Sequence, residues 1–149
     1  RARRVQALLD RACVVLDSDQ VREAIGARGY SPPERDAFYR ALGELALLIE
    51  RQGVIVLVAA TAAKRAYRDA VRARAEQFLE VYVRASQADR EARDIKGLYA
   101  RARAGDAPEL PGAGATYEPP VSPELVAHGG LDEICAATLV ERITDAAPA

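Results

Sequence analysis

The chain has 149 residues, of which 50% are hydrophobic and 29% are charged, and its formal net charge is −1. This is the composition of one globular domain with a continuous core, and it excludes a disordered or fibrous chain. Because the charges balance and the longest apolar run, residues 54–60, is too short to span a bilayer, we expect neither nucleic acid nor a membrane as a partner.

Helical and strand patterns alternate in the first half of the chain. Ser31 and Glu34 flank two prolines in the spacing of a capping box, which predicts a strong helix start, and Gly53 marks the end of that helix. The apolar runs before Asp17 and after Gly53 are typical of buried parallel strands. In chain order, we predict a helix over residues 1–9, a strand over 12–16, a helix over 20–25, a helix over 31–52 and a strand over 54–59.

The second half continues this alternation up to a long irregular segment. Thr61 is predicted to cap a helix that runs to residue 75, and Ser86 to open another that leads into residues 93–99. Residues 105–123 are rich in Gly and Pro and have no period, so we expect a functional or mobile loop. The remaining elements are a strand over 78–83, a strand over 125–128 and a helix over 131–143.

Strands that alternate with helices predict an α/β fold, a three-layer α/β/α sandwich with a doubly wound parallel sheet. We expect the strands at 13–16, 54–59 and 78–83 to be parallel neighbours in one sheet. The whole chain, residues 1–149, then forms a single domain.

Polar residues follow the predicted strands, where ligands of such sheets bind. Asp17 and Asp19 follow the first strand, Thr61 follows the second and Ser86 the third. Two carboxylates one residue apart can hold hydrated Mg²⁺ and accept a proton from an attacking hydroxyl. The alternative interpretation is that Ser18 or Asp19 only caps the next helix.

Two arginines are predicted at the same rim. Arg22 lies one turn into the helix after Asp19, and Arg35 lies in the first turn of the next helix, so both could bind an anionic substrate bidentately. Solvated surface arginines are the alternative in so Arg-rich a chain. Tyr30 could stack on a base or serve in packing, and His128, the only histidine, is interpreted as structural.

Residues 93–103 hold one Lys and three Arg next to the irregular segment. Phosphoryl transfer is catalysed mainly by positioning and by positive charge, which a basic lid closing over ATP would supply. We therefore interpret residues 95–123 as a lid and mobile loop; a solvated amphipathic helix is the alternative for the basic stretch. The residues contain no Gly-x-x-x-x-Gly-Lys-Ser/Thr, and the first helix starts without a cap. We expect an N-terminal strand and phosphate loop to be missing, or ATP binding of an unusual kind.

Several segments resemble the adenylyl-sulfate kinases, which are kinases of the P-loop NTPase type. Residues 16–22, Leu-Asp-Ser-Asp-Gln-Val-Arg, are similar to the family's Leu-Asp-Gly-Asp-Asn-Val-Arg, and residues 29–32 with Arg35 are similar to its Gly-Phe-Ser-Pro and following Arg. Residues 91–99, Glu-Ala-Arg-Asp-Ile-Lys-Gly-Leu-Tyr, resemble its Glu-Ala-Arg-Asp-Pro-Lys-Gly-Leu-Tyr lid. Tyr117-Glu118 and the Pro-Glu-Leu at 123–125 match downstream motifs, so the likeness covers nearly the whole chain.

The resemblance implies transfer of the γ-phosphate of ATP to the 3′-hydroxyl of adenylyl sulfate, a step of sulfate assimilation. It implies the catalytic or Mg²⁺-linked carboxylate at Asp19, with Asp17 in support. Its other implied roles are the following: Arg22 and Arg35 hold the phosphosulfate, Tyr30 stacks on the adenine, Thr61 and Leu110 line the acceptor site, and Arg93 and Lys96 reach the nucleotide phosphates.

Departures from the family pattern are concentrated on the acceptor side. The family's Asn three residues after Arg35 is Phe38, its Ile-Ser-Pro is Thr61-Ala62-Ala63, and its second adenine-stacking Phe is Leu110. A Lys and an Asp of the family are Pro108 and Gly114. This pattern leaves two alternatives open: a related kinase that phosphorylates another small hydroxyl compound, and a non-catalytic interaction domain.

The cysteines indicate the compartment. Cys13 and Cys135 have apolar neighbours and no metal-like spacing, so we interpret them as buried free thiols of a cytoplasmic protein. The expected ligands are ATP, Mg²⁺ and the small-molecule acceptor. The oligomeric state stays open, with a homodimer as one candidate.

Overall fold

The computed structural model describes residues 2–84, 116–128 and 132–145. The helices are α1 (Ala2–Leu8), α2 (Ser18–Ala24), α3 (Pro32–Glu50), α4 (Arg65–Arg72) and α5 (Glu133–Asp145). The strands are β1 (Cys13–Asp17), β2 (Ile55–Ala59), β3 (Val81–Arg84) and β4 (Leu125–His128). Helices and strands alternate along the chain, as predicted.

The strands form two parallel pairs. β1 pairs with β2 in the register Cys13↔Ile55 to Asp17↔Ala59, and β3 pairs with β4. The predicted parallel pairing of the first two strands is therefore confirmed. The prediction that the third strand lies beside them is wrong for the residues that the structure describes, since β3 hydrogen-bonds to β4 instead.

The third strand is also shorter than predicted, and contacts at its start explain the difference. It begins at Val81 and not at Phe78. The Phe78 ring lies under the Arg72 guanidinium, 4.6 Å from its central carbon, and the Glu80 N–H donates to Glu124 Oε2 at 2.6 Å. The Glu80 carbonyl still accepts from the Leu125 N–H at 3.2 Å, but its N–H is bound by a side chain and not by a neighbouring strand.

The core lies between α3 and the first strand pair. Phe38, Leu42 and Ala46 follow one another at helical spacing on α3 and pack with Leu16 of β1. Each of these four side chains is at most 8% exposed. Burying a large apolar side chain contributes about 1.5–3 kcal/mol, so α3 is the main stabilising helix of this half.

The ends of α3 agree with the sequence analysis. Ser31 and Glu34 form the predicted capping box, with prolines in the first helical positions. The helix ends at Glu50, and Gly53 follows with φ of 77°, a left-handed conformation that glycine adopts without strain. α3 is therefore fixed at both ends, and it presents its first turn to the carboxyl edge of β1 and β2.

The prediction that Thr61 caps a helix is wrong. α4 begins only at Arg65, its N-cap is Lys64, and Thr61 is exposed in an irregular segment. That segment is held in another way, because Arg68 of α4 donates to the Ala62 carbonyl at 2.5 Å. A second bond joins the Glu118 N–H to the Ala63 carbonyl at 2.9 Å. Tertiary contacts thus replace the helical turn.

Arg68 connects the two strand pairs. Besides its bond to Ala62, its Nε donates to Glu80 Oε1 at 2.6 Å and its NH2 to the Glu118 carbonyl at 2.7 Å. The Arg68 and Glu80 side chains are 11% and 12% exposed. A nearly buried, hydrogen-bonded ion pair therefore lies between α4 and the beginning of β3. Removing Glu80 would leave the Arg68 charge with backbone carbonyls alone, whereas removing Arg68 would leave Glu80 paired with Arg72 at 3.2 Å.

Several expectations concern residues outside the described ranges. These are the helix opened by Ser86, the basic stretch with Arg93 and Lys96, and the part of the lid with Leu110. Cys13 and Cys135 form no disulfide with each other, and both are partly exposed and not buried as expected. In the described part of the chain, no helix is long and apolar enough to cross a membrane.

Candidate active site

The carboxyl ends of β1 and β2 form one edge of the first strand pair. Asp17 is the register partner of Ala59, so the two strands end side by side. Asp19, which follows β1, and residues 60–63, which follow β2, therefore lie at the same edge. Ligands of parallel sheets bind beyond such an edge.

The two carboxylates have different environments. Asp17 is the N-cap of α2, and its Oδ1 accepts from the N–H groups of Asp19 at 3.0 Å and Gln20 at 3.3 Å. The cap is thus Asp17, and not Ser18 or Asp19 as the alternative interpretation had it. Asp19 lies exposed in the first turn of α2, and its carboxylate accepts no hydrogen bond from any described residue. Asp17 therefore positions Asp19, which keeps its carboxylate oxygens available.

Arg22 is not the solvated surface arginine of the alternative interpretation. It is 7% exposed, and its NH1 donates to the carbonyls of Ala27 at 3.3 Å and Gly29 at 3.1 Å. Its central guanidinium carbon lies 3.7 Å from the centre of the Phe38 ring and 4.7 Å from that of Tyr30. The guanidinium is therefore held by two carbonyls and two rings.

Arg35 supports the same loop from α3. Its Nε donates to the Tyr30 carbonyl at 2.7 Å, and its side chain is partly exposed. Next to it, hydrogen bonds from the Ser31 hydroxyl and N–H lower the pKa of Glu34, and the charge of Arg22 lowers it further. The structure thus brings Arg22, Tyr30 and Arg35 together at one end of α3.

Tyr39 is a residue of this site that the sequence analysis missed. Its ring stacks on Tyr67 of α4 at 4.7 Å between ring centres. Burial raises the pKa of the Tyr39 hydroxyl, while a hydrogen bond with the Ala62 backbone and the charge of Arg22 lower it. Asp19 also influences this hydroxyl, so it lies within electrostatic reach of the predicted site residues. The sequence signal that could have indicated Tyr39 is its position next to the apolar stripe of α3.

A polar cluster fixes the start of α4 beside Tyr39. Lys64 Nζ donates to Asp36 Oδ1 at 2.5 Å, and the Tyr67 hydroxyl donates to the same oxygen. These hydrogen bonds hold the pKa of Asp36 below its usual range. The irregular segment with Ala62 therefore begins at β2 and ends at an anchored helix start. Ala62 itself has φ of 39°, a left-handed conformation that is strained for alanine.

The fit of the site to a divalent cation depends on Asp19. The described residues include no group of three or more His, Cys, Asp or Glu that could hold a metal. Mg²⁺ does not need such a cage, because it commonly binds one or two carboxylates together with substrate phosphates and water. The exposed Asp19 carboxylate, positioned by the capped helix start, fits that mode of binding.

Comparison with known proteins gives consistent results. The family model described as adenylylsulphate kinase matches residues 2–128. The adenylyl-sulfate kinase of Acaryochloris marina is 40% identical over 132 residues, which are 85% of this chain and 64% of that protein. That of Rippkaea orientalis is 42% identical over 134 residues, 89% of this chain and 71% of that protein. The chain thus spans about two thirds of the length of these relatives.

A solved structure supports the fold. The APS kinase of Mycobacterium tuberculosis, in complex with AMPPNP and APS, superposes with a TM-score of 0.79 at 33% identity. The match covers 94% of this chain and 83% of that one. The α/β fold of the P-loop NTPase type, expected from the resemblance, is confirmed. The family model matches residues 2–128, and the two relatives named above are 40% and 42% identical to this chain. The chain therefore belongs to the adenylylsulphate kinase family.

Proposed function

We propose that this chain forms the acceptor site and part of the catalytic site of an ATP-dependent kinase that phosphorylates adenylyl sulfate. One observation carries the proposal: Arg22, Tyr30 and Arg35 lie together, and Asp19, just after β1, acts on the same Tyr39 hydroxyl as the two arginines. The adenylyl-sulfate kinases named above support the choice of acceptor. The solved relative with APS and AMPPNP supports both the acceptor and the nucleotide.

The reaction joins the 3′-hydroxyl oxygen of adenylyl sulfate to the γ-phosphorus of ATP. The bond from that phosphorus to the β,γ-bridging oxygen breaks, ADP leaves, and the hydroxyl proton is released. Asp19 is the carboxylate at hand to accept this proton, because its oxygens have no other described donor. When bound, Mg²⁺ would neutralise phosphate charge, and Asp19 would be its protein ligand.

The two arginines would bind the charged part of the acceptor. Arg22 and Arg35 are planar donors suited to phosphate and sulfate oxygens, and both are already oriented by backbone carbonyls. Tyr30 is 36% exposed, so part of its ring is accessible to an adenine. Roles for Thr61, Leu110, Arg93 and Lys96, and a lid over residues 95–123, belong to the same proposal.

Other parts of the proposal concern the protein as a whole. The 149 residues contain no Gly-x-x-x-x-Gly-Lys-Ser/Thr, so the loop that binds the ATP phosphates would come from outside them. We place the enzyme in the cytoplasm, where ATP is available and where cysteines outside disulfides, such as Cys13, stay reduced. A homodimer is the assembly to be tested.

A second candidate function is phosphorylation of a different small hydroxyl compound. Phe38 stands where the family carries an Asn, and the structure buries it to 4% exposure. A buried ring offers an acceptor no hydrogen bond, so one polar contact of the family is missing. A site built to hydrogen-bond its ligand discriminates strongly against analogues that lack the partner group. A site that lacks this hydrogen-bonding group can therefore prefer an acceptor that does not need it.

A kinase assay on the intact protein tests the proposal. ATP consumption would be followed with adenylyl sulfate and with a panel of other hydroxyl acceptors, with Asp19→Asn as the matched inactive control. We expect adenylyl sulfate to give the highest kcat/KM. Higher kcat/KM with another acceptor would establish the second candidate, and no ATP turnover with any acceptor would leave the non-catalytic interaction domain.

A further inference from the structure

Arg22 is the one buried charged side chain among the described residues. No carboxylate of the described ranges lies within ion-pair distance of it. Glu34 lies near enough for the charge of Arg22 to lower its pKa, but it forms no direct ion pair with the guanidinium. A buried cation without a direct ion pair is costly unless other groups compensate its charge. Here the compensation comes from the Ala27 and Gly29 carbonyls and from the faces of Tyr30 and Phe38.

The two rings differ in how firmly they are held. Phe38 packs in the core with Leu16 and Leu42 and is 4% exposed, so its ring is fixed. The guanidinium carbon lies 3.7 Å from its centre, which is the separation of two flat groups in direct contact. Tyr30 is farther away, at 4.7 Å, and is 36% exposed. Phe38 therefore sets the plane of the guanidinium, and Tyr30 covers part of it.

With the guanidinium plane of Arg22 fixed, its N–H groups fall into those already bonded and those still available. NH1 is used by the two carbonyls, whereas Nε and NH2 donate to no described residue. Arg22 and Phe38 line an open cavity of about 550 Å³ between residues 25–29 and α3, together with the cation of Arg28 and the carboxylate of Glu34. Glu34 is engaged by the N–H and hydroxyl of Ser31. A guanidinium that is held on its face and bonded at one nitrogen has its remaining edge free for an anion.

We propose that Phe38 is a positioning residue that presets the Arg22 guanidinium for the anionic group of the acceptor. This inference depends on the proposed function, since it takes adenylyl sulfate as the acceptor. In place of the family's amide, this chain has an aromatic surface under the arginine. The direct polar contact is exchanged for a more rigid Arg22, and preorganised groups bind with less loss of conformational freedom.

The test compares Phe38→Leu with a matched control. The chain has two phenylalanines, and each has an arginine over its ring. Phe38→Leu should raise the KM for adenylyl sulfate about tenfold, equivalent to about 1.4 kcal/mol, while the KM for ATP stays within about twofold. Phe78→Leu, next to Arg72 and away from the site, should leave both KM values within about twofold.

A purely structural role for Phe38 predicts a different result. If Phe38 were only structural, Phe38→Leu would have a lower melting temperature but an unchanged KM for adenylyl sulfate in assays well below that temperature. That result would overturn the proposal. Phe38→Tyr, which keeps the aromatic face, should restore the KM. In an Arg22→Lys background, Phe38→Leu should have little further effect on this KM, because an ammonium group has no plane to orient.

A second measurement separates this inference from the proposed function. The Arg22 Nε–H resonance in NMR needs no turnover. We expect it upfield from ring currents and sensitive to inorganic sulfate, with both effects reduced in Phe38→Leu. If the protein does not phosphorylate adenylyl sulfate but the resonance behaves in this way, the proposed function fails and the positioning role stands. A resonance indifferent to sulfate in an active enzyme would overturn the positioning role.

Discussion

Glu124, just before β4, gives a sharp test of how the second strand pair is held. Its two carboxylate oxygens accept from Arg72 NH1 at 2.6 Å and NH2 at 2.9 Å, and the Glu80 N–H donates to it at 2.6 Å. These bonds, above all those from Arg72, lower the pKa of Glu124 to about 2. Glu124→Gln removes the charge and keeps the shape.

The size of the effect follows from the pKa. One pKa unit is about 1.36 kcal/mol, so a fall from 4.5 to about 2 sets an upper limit of about 3 kcal/mol. The Glu124 and Arg72 side chains are 24% and 34% exposed, so water screens part of this energy. We expect Glu124→Gln to lower the free energy of unfolding by about 1–2 kcal/mol at pH 6.

The pH dependence has a definite sign. The folded-state pKa is lower than the unfolded one, so the stabilisation is fully present above pH 4.5 and is lost as the pH falls towards 2. Urea unfolding of both proteins at pH 6 and pH 3 measures this. The difference in unfolding free energy should shrink to about 40% of its pH 6 value at pH 3.

Glu44→Gln is the matched control. Glu44 also forms a bidentate pair, with Arg74, but their side chains are 49% and 50% exposed. Exposed pairs contribute little to stability. We therefore expect a much smaller change for Glu44→Gln than for Glu124→Gln. Equal changes in the two variants, or a Glu124→Gln effect that does not depend on pH, would refute the reasoning.

Four further predictions follow from the site and from the family resemblance. Asp19→Asn should lower kcat about 100-fold or more with little change in ATP affinity by titration; unchanged turnover would exclude the proposed role. Asp17→Ala should lower the free energy of unfolding by about 1 kcal/mol through loss of the α2 cap, whereas Asp17→Asn should preserve most of it in the same urea experiment. Ala62→Gly should leave the free energy of unfolding unchanged or raise it by about 1 kcal/mol, because Ala62 has a φ of 39°. Its control, Ala70→Gly inside α4, should lower the free energy of unfolding by about 1 kcal/mol. Equal losses in the two variants would mean that Ala62 is unstrained. Leu110→Phe should tighten adenylyl-sulfate binding, by up to about tenfold in a titration with Mg²⁺ and ADP, and no gain would mean that residue 110 does not face the adenine.

Local patterns predicted those elements that local chemistry determines. The capping box at Ser31, the apolar stripe of α3 and the β-branched run of β2 each specify their structure within a few residues. The same holds for Asp19 and Arg22, since their position after a strand end follows from the order of elements. These features could be predicted from the sequence because each signal and its structural result lie close together in the chain.

The errors concern residues whose partners lie on other elements of the fold. Thr61 has the residue type of a cap, but Arg68 and Glu118 bind the carbonyls that follow it and keep the segment out of a helix. Phe78 fits a strand pattern, but its ring packs against the Arg72 guanidinium. The contact of Phe38 with Arg22 could not be predicted either, because it depends on how α2 and α3 pack.

The hydrogen bond from the Glu118 amide to Ala63 has a consequence for local unfolding. Its donor belongs to the segment that leads into β4, and its acceptor to the segment that leaves β2. The amide is therefore protected from hydrogen exchange while the two segments stay together. It can exchange when the strand pairs separate or when either segment opens locally, so its exchange rate gives a lower limit for the free energy of separating the pairs.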